Sequence, residues 1–96
     1  MLPKQKPFHI TIYTRPGCSL CEQVKEKVEK VAKDFPIQLE MFDITRDEAI
    51  QKEYHLLIPV VHIDGDKVFV SKMAELWLRR ELEARVNERK LEQRVE

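Results

Sequence analysis

No apolar stretch of signal-peptide length follows Met1. The longest apolar run, Leu56 to Val61, is far too short to cross a bilayer. Neither a secretory leader nor a membrane span is therefore expected. Cysteine occurs only twice, and a lone pair of that kind fits a reducing, cytoplasmic compartment. There is no surplus of either charge: Lys+Arg and Asp+Glu number 17 each, for a formal net charge of zero. Nucleic acid and anionic membrane surfaces are accordingly not expected as partners. Asparagine appears once, at Asn87, amid abundant Glu, Lys and Arg, a composition that leans towards that of heat-adapted proteins. No internal repeat and no low-complexity segment interrupts the chain.

What is present suits one modest globular domain. The 96 residues are 43% hydrophobic and 35% charged, enough for a single core and too few for two. Residues 1–7, with two prolines and two lysines and no periodicity, read as a loose arm. Phe8 to Thr14 alternates, with Phe8, Ile10 and Ile12 on one face and His9, Thr11 and Tyr13 on the other, which predicts a central strand. His9 reads as a sheet-surface residue, because an extended strand carries it far from the cysteines.

A helix is predicted from about Cys18 to Phe35, with Leu20, Cys21, Val24, Val28, Val31 and Phe35 forming its apolar stripe. Its other faces mix Glu22, Glu26, Glu29, Lys25, Lys27, Lys30 and Lys33. Glu26–Lys30 and Glu29–Lys33 are spaced to pair, and this side reads as solvated. Pro36 stops the helix. Ile37 to Asp43 alternates again and predicts a second strand, parallel to the first.

Thr45-Arg46-Asp47-Glu48 fits a capping box with Thr45 as the cap, opening a short helix that buries Ala49, Ile50 and Tyr54. Leu57-Ile58-Pro59-Val60-Val61 leads into a third strand, where proline is tolerated at the start. Val60 to Asp64 and Lys67 to Ser71 flank a hairpin signal, Asp64-Gly65-Asp66. Ser71 can cap a last helix whose start carries Met73, Leu76, Trp77 and Leu78, with Trp77 expected in the core. Beyond Leu82 the apolar spacing thins to Val86, Leu91 and Val95. The domain is thus expected over residues 8–82, with 83–96 as an extension of the last helix and a possible docking element.

The two cysteines form the one constellation that carries chemistry. Cys18-Ser19-Leu20-Cys21 follows a strand and the tight signal Pro16-Gly17, and it opens a helix. A C-x-x-C pair in that context reads as a reversible dithiol. The attacking species is a thiolate. The first turn of a helix has unpaired N–H groups and a partial positive charge, which favour an anion. Arg15 adds a permanent positive charge three residues upstream. Cys18 is thus the candidate low-pKa nucleophile. Cys21, one helical turn later, is placed to attack a mixed disulfide on Cys18 and free the reduced product.

Blander readings remain open beside this one. A structural disulfide closing so short a loop would constrain little of the unfolded chain. A zinc site would need more ligands, and His9, His55 and His62 share no ligand-like spacing, so no metal is expected. Two inert buried thiols are the third reading. Glu22 could take a proton from Cys21, though a surface acid is the plainer interpretation.

The order β-α-β-α-β-β-α with a dithiol after the first strand resembles the thioredoxin-like fold in its minimal, glutaredoxin-like form. The likeness covers roughly Phe8 to Leu82. Tyr13-Thr14-Arg15-Pro16-Gly17-Cys18-Ser19-Leu20-Cys21-Glu22 is similar to the active-site segment of small prokaryotic glutaredoxin-like proteins. Ile58-Pro59-Val60-Val61 is similar to the fold's cis-proline segment.

The resemblance implies an α/β domain with a four-stranded mixed sheet flanked by helices. It implies an enzyme that reduces protein or small-molecule disulfides, with no obligatory cofactor and with a dithiol or glutathione as reductant. It implies that Pro59 is cis and lies against the dithiol, that the Ile58 backbone pairs with substrate in strand fashion, and that Tyr13, Pro16 and Gly17 border the substrate site. Arg15 matches the basic residue ahead of the first cysteine. A monomer is expected.

Two departures stand out. Glutathione-binding members carry a Gly-Gly-x-Asp type of turn where this chain has Ser71-Lys72-Met73-Ala74. The Trp-Cys-Gly-Pro-Cys signature of thioredoxins is also absent. An alternative function, implied by some glutaredoxin-like proteins, is a module that binds glutathione and an iron–sulfur cluster, whose iron atoms take four ligands in all.

Overall fold

The computed structural model describes the backbone over residues 6–95 and side chains over residues 6–92. The arm expected over residues 1–7 lies, for residues 1–5, outside the described residues, as does the side chain of Val95. Strand β1 (Phe8–Thr14) leads into helix α1 (Ser19–Val31) and then strand β2 (Ile37–Asp43). A short 3₁₀ turn (Ile44–Arg46) and helix α2 (Glu48–Tyr54) follow. Strands β3 (Val60–Ile63) and β4 (Asp66–Val70) form a hairpin, and helix α3 (Glu75–Val95) follows.

The four strands make one mixed sheet in the order β2-β1-β3-β4. β1 pairs with β2 in parallel, Phe8 opposite Ile37 and Thr14 opposite Asp43. β1 pairs with β3 antiparallel, Ile10 opposite Ile63 and Tyr13 opposite Val60. The alternation in β1 decides which face is which. Phe8, Ile10 and Ile12 are fully buried and join Val61 and Ile63 of β3, Val24, Val28 and Val31 of α1, and Met73, Leu78 and Leu82 from the chain's last third. On the other face a smaller cluster of Ile44, Tyr54 and Val60 is flanked by Tyr13, Phe42, Ile50 and Ile58.

Turn chemistry explains the junctions. Asp64 and Gly65 both have positive φ, 50° and 86°, which is what a two-residue hairpin needs to match strand twist. The Asp64 side chain accepts from His9 N at 2.9 Å, and Asp64 N donates to His9 O at 2.8 Å, which ties the turn to β1.

Several local expectations shift. α1 ends at Val31, with Ala32 as its cap, short of Phe35. The pairs Glu26–Lys30 and Glu29–Lys33 are absent from the ion pairs of the described residues, which gather instead on Arg79, Arg85 and Arg89. Helix α2 is capped by Asp47, whose side chain accepts from Ile50 N at 3.0 Å, and not by Thr45. Asp43 accepts from Thr45 N and Thr45 Oγ1 instead, which starts the 3₁₀ turn. These two hydrogen bonds hold the Asp43 carboxyl below the usual carboxylate range.

Ser71 does not cap α3, which begins four residues later at Glu75. Trp77 is not in the core. It is 45% exposed and stacks on Phe69, with ring centroids 6.5 Å apart. Three apolar residues in a row cannot all face inward from one helix, and Leu78 takes the buried position.

Helix α3 is docked well beyond Leu82. Val86 packs against the main core. Arg85 pairs with Asp66 and Glu81. Arg89 lies over the Phe8 ring at 4.0 Å and donates to Lys6 O at 2.8 Å. Among the described residues no helix is long and apolar enough to cross a membrane.

Candidate active site

The parallel pairing of β1 with β2 and the antiparallel β3 and β4 bring four junctions to one end of the sheet. They are the end of β1, the start of α1, the segment before β3 and the segment after β4. The first junction is a tight turn. Cys18 N donates to Arg15 O at 3.3 Å, around Pro16 and Gly17. Gly17 has φ +81°, the backbone that a type II turn needs after a proline. A side chain at Gly17 would meet no neighbour within 4 Å, so conformation and not space calls for glycine here.

This turn delivers Cys18 to the N-cap of α1 in an extended backbone conformation. Its Sγ accepts from Cys21 N at 3.2 Å. An N-cap atom that accepts from the first turn is where a negative charge is best held. Cys18 and Cys21 are joined as a disulfide, with Cα atoms 5.3 Å apart, and no cysteine is free. The two are not equivalent. Cys21 is fully buried, whereas Cys18 is only half-buried. An incoming disulfide can therefore meet Cys18 and not Cys21.

Each remaining candidate has a definite place. Arg15, Pro16 and Gly17 are exposed in the turn ahead of Cys18. Glu22 is exposed, and its N–H donates to Cys18 O. The Ile58–Pro59 peptide is cis, and Pro59 is buried. Pro59 comes immediately before Val60, which pairs with Tyr13, so it lies beside the end of β1. Ile58 N already donates to Tyr54 O at 3.1 Å, as does Leu57 N at 2.8 Å. A substrate chain pairing with Ile58 would thus find one of its two backbone groups engaged.

Tyr13 turns its ring to the second core cluster, against Phe42, Tyr54 and His62 at centroid distances of 5.4, 5.1 and 4.6 Å. Burial and the Glu40 charge push its hydroxyl pKa up. The Tyr54 hydroxyl and His62 Nε2 are 3.1 Å apart. Burial, helped by Lys67, pulls His62 below the usual histidine range, against the pull of Glu53 and Asp66. No group of three or more His, Cys, Asp and Glu among the described residues is placed to hold a metal ion.

Two residues here, Lys27 and Ser71, make hydrogen bonds that local sequence pattern does not signal. Lys27 is half-buried, not solvated, and its Nζ donates to Met73 O at 3.0 Å. Ser71 donates from N to Pro59 O at 2.8 Å and from Oγ to Leu57 O at 3.1 Å. Both link residues distant in sequence, which no local pattern signals.

With this geometry in view, the comparisons with known proteins agree. The family model described as Glutaredoxin-like domain (DUF836) matches residues 9–96. The glutaredoxin-like protein YDR286C homolog of Dictyostelium discoideum is 34% identical over an alignment of 76 residues, and the match covers 73% of this chain and 70% of that protein. A solved structural-genomics target protein from X. campestris is 27% identical with a TM-score of 0.66, over 78% of this chain and 96% of that one. The oxidised mitochondrial thioredoxin 3 of Saccharomyces cerevisiae is similar in fold alone, at 16% identity and a TM-score of 0.59, over 84% of this chain and 81% of that one. A family match over nearly its whole length, joined to a thioredoxin-like fold and a cysteine pair at disulfide distance, shows that the chain belongs to the glutaredoxin-like domain family.

Proposed function

We propose that the protein is a cytoplasmic thiol–disulfide oxidoreductase that reduces disulfides of proteins or small molecules. The observation that carries this reading is the Cys18–Cys21 pair, with the reachable sulfur at the N-cap of α1 and the buried one a turn behind. In the reduced protein the Cys18 thiolate attacks one sulfur of the substrate disulfide. That bond breaks, one substrate thiolate leaves and takes a proton from water, and a mixed disulfide forms on Cys18. Cys21 loses its proton and attacks Cys18 Sγ. The second substrate thiol leaves, and the Cys18–Cys21 disulfide remains. Two electrons pass to the substrate, and a dithiol or two glutathione molecules return them.

Arg15 and the N–H groups of the first turn favour the thiolate. Pro16, Gly17, Ile58 and Pro59 border the approach of the substrate, while Tyr13 supports the end of β1 from beneath. The test is Cys18→Ser. Purified variant and wild type are compared for dithiothreitol-driven reduction of insulin. Loss of turnover in the variant is the expected outcome, and an unchanged rate removes Cys18 from the reaction.

A further inference from the structure

Ser71 to Met73 connects β4 to the start of α3, and it is hydrogen-bonded both to the cis-proline segment and to helix α1. On one side Ser71 makes the two hydrogen bonds already described, to Pro59 O and Leu57 O, which brace the cis peptide from both flanks. Ser71 does so with φ +69°, a backbone that a residue with a side chain seldom adopts and that the surrounding contacts must hold. On the other side Met73 is buried, and its carbonyl accepts from Lys27. Lys27 stands on α1, the helix whose cap is Cys18. An ammonium held half-buried against one carbonyl makes a charge-assisted bond, stronger than a neutral one.

We infer that Ser71–Met73 is a strap that fixes the spacing between the cis-proline segment and the dithiol helix. Lys27 and Ser71 are then positioning residues for protein substrates. The inference rests on the oxidoreductase reading above. A small disulfide needs to reach only Cys18 Sγ. A protein chain must meet Cys18 and the segment before Pro59 together, and so feels their separation. The hydrogen bond of Lys27 goes to Met73 O and not to the cysteines or Pro59, so it acts through the strap.

The test uses Lys27→Met, Ser71→Ala, the double variant and Lys27→Arg. Each is assayed for reduction of insulin and of bis(2-hydroxyethyl) disulfide. Amide exchange over residues 56–61 is followed by mass spectrometry. Either single substitution should raise KM for insulin about threefold to tenfold, the range one lost hydrogen bond spans, with kcat and the small-disulfide rate retained. The double variant should be no worse than the poorer single, because either break frees the strap. Lys27→Arg keeps a donor and should hold the wild-type KM. Exchange over residues 56–61 should quicken in Lys27→Met.

An unchanged KM in both singles, or losses that simply add, overturns the strap. So does a parallel fall in both activities together with a lower melting temperature. If the wild type reduces neither disulfide, the oxidoreductase reading fails instead. Exchange then still decides the strap, and unaltered exchange in Lys27→Met removes it.

Discussion

Replacing Arg89 by alanine should unfasten the last helix from the sheet. Arg89 does three things at once. Its guanidinium lies 4.0 Å from the centroid of the buried Phe8 ring, a contact of about 0.5–1 kcal/mol where solvent has partial access. It donates to Lys6 O at 2.8 Å, which adds about 1 kcal/mol. It also faces Asp64 at 3.6 Å, with side chains 31% and 34% exposed, so this pair contributes no more than about 0.5 kcal/mol. Together they place Arg89→Ala about 2 kcal/mol below the wild type. For a domain of this size the melting temperature should fall by about 10 °C. Urea titration followed by circular dichroism is the second assay. The midpoint should fall with the slope unchanged, because the folded form stays as compact. Arg89→Lys should lie between the two, since lysine keeps the charge and loses the flat fork. A melt for Arg89→Ala within about 2 °C of the wild type would refute the argument that α3 is fastened beyond Leu82.

Two further outcomes follow from the local geometry. Asp47→Ala should cost about 1 kcal/mol by urea unfolding, the usual loss of a helix cap, whereas Thr45→Ala should stay within about 0.5 kcal/mol because its hydroxyl bond is exposed. Equal losses would return the cap to Thr45. His62 is held below its ordinary pKa in the folded protein, so below about pH 6.5 the unfolded chain takes up the proton first. Stability should therefore fall on acidification through that value and level off below the folded pKa. His62→Gln should flatten that part of the urea-midpoint profile, and an unaltered profile would remove His62 as its source.

Much of this arrangement is legible from short-range pattern. The alternation of Phe8 to Thr14 gives both the strand and its buried face. Pro16-Gly17 and Asp64-Gly65 mark turns because proline and positive-φ glycine have few other uses there. The pairing of Cys18 with Cys21 is legible because two residues three apart at a helix start lie one turn from each other.

Pattern fails where two local solutions compete or where the deciding partner is remote. Thr45 and Asp47 can both cap, and the sequence does not say that Asp43 will engage Thr45 first. Leu76, Trp77 and Leu78 look equally apolar until α3 fixes its phase against Phe69 and the core. Lys27 sits in a run of helix charges and turns inward only because Met73 O lies within reach, 46 residues away. Ser71 reads as a cap, and its left-handed backbone is dictated by Leu57 and Pro59, not by its neighbours.

Disulfide reduction by this pair requires one sulfur open to attack and its mate held in reserve. Reduced Cys21→Ser protein, mixed with a disulfide-bonded peptide and weighed intact, should accumulate a stable adduct of one peptide chain on Cys18. Reduced Cys18→Ser protein should accumulate none. Adducts of equal yield on both variants, or none on Cys21→Ser, would contradict the division of labour between the two cysteines.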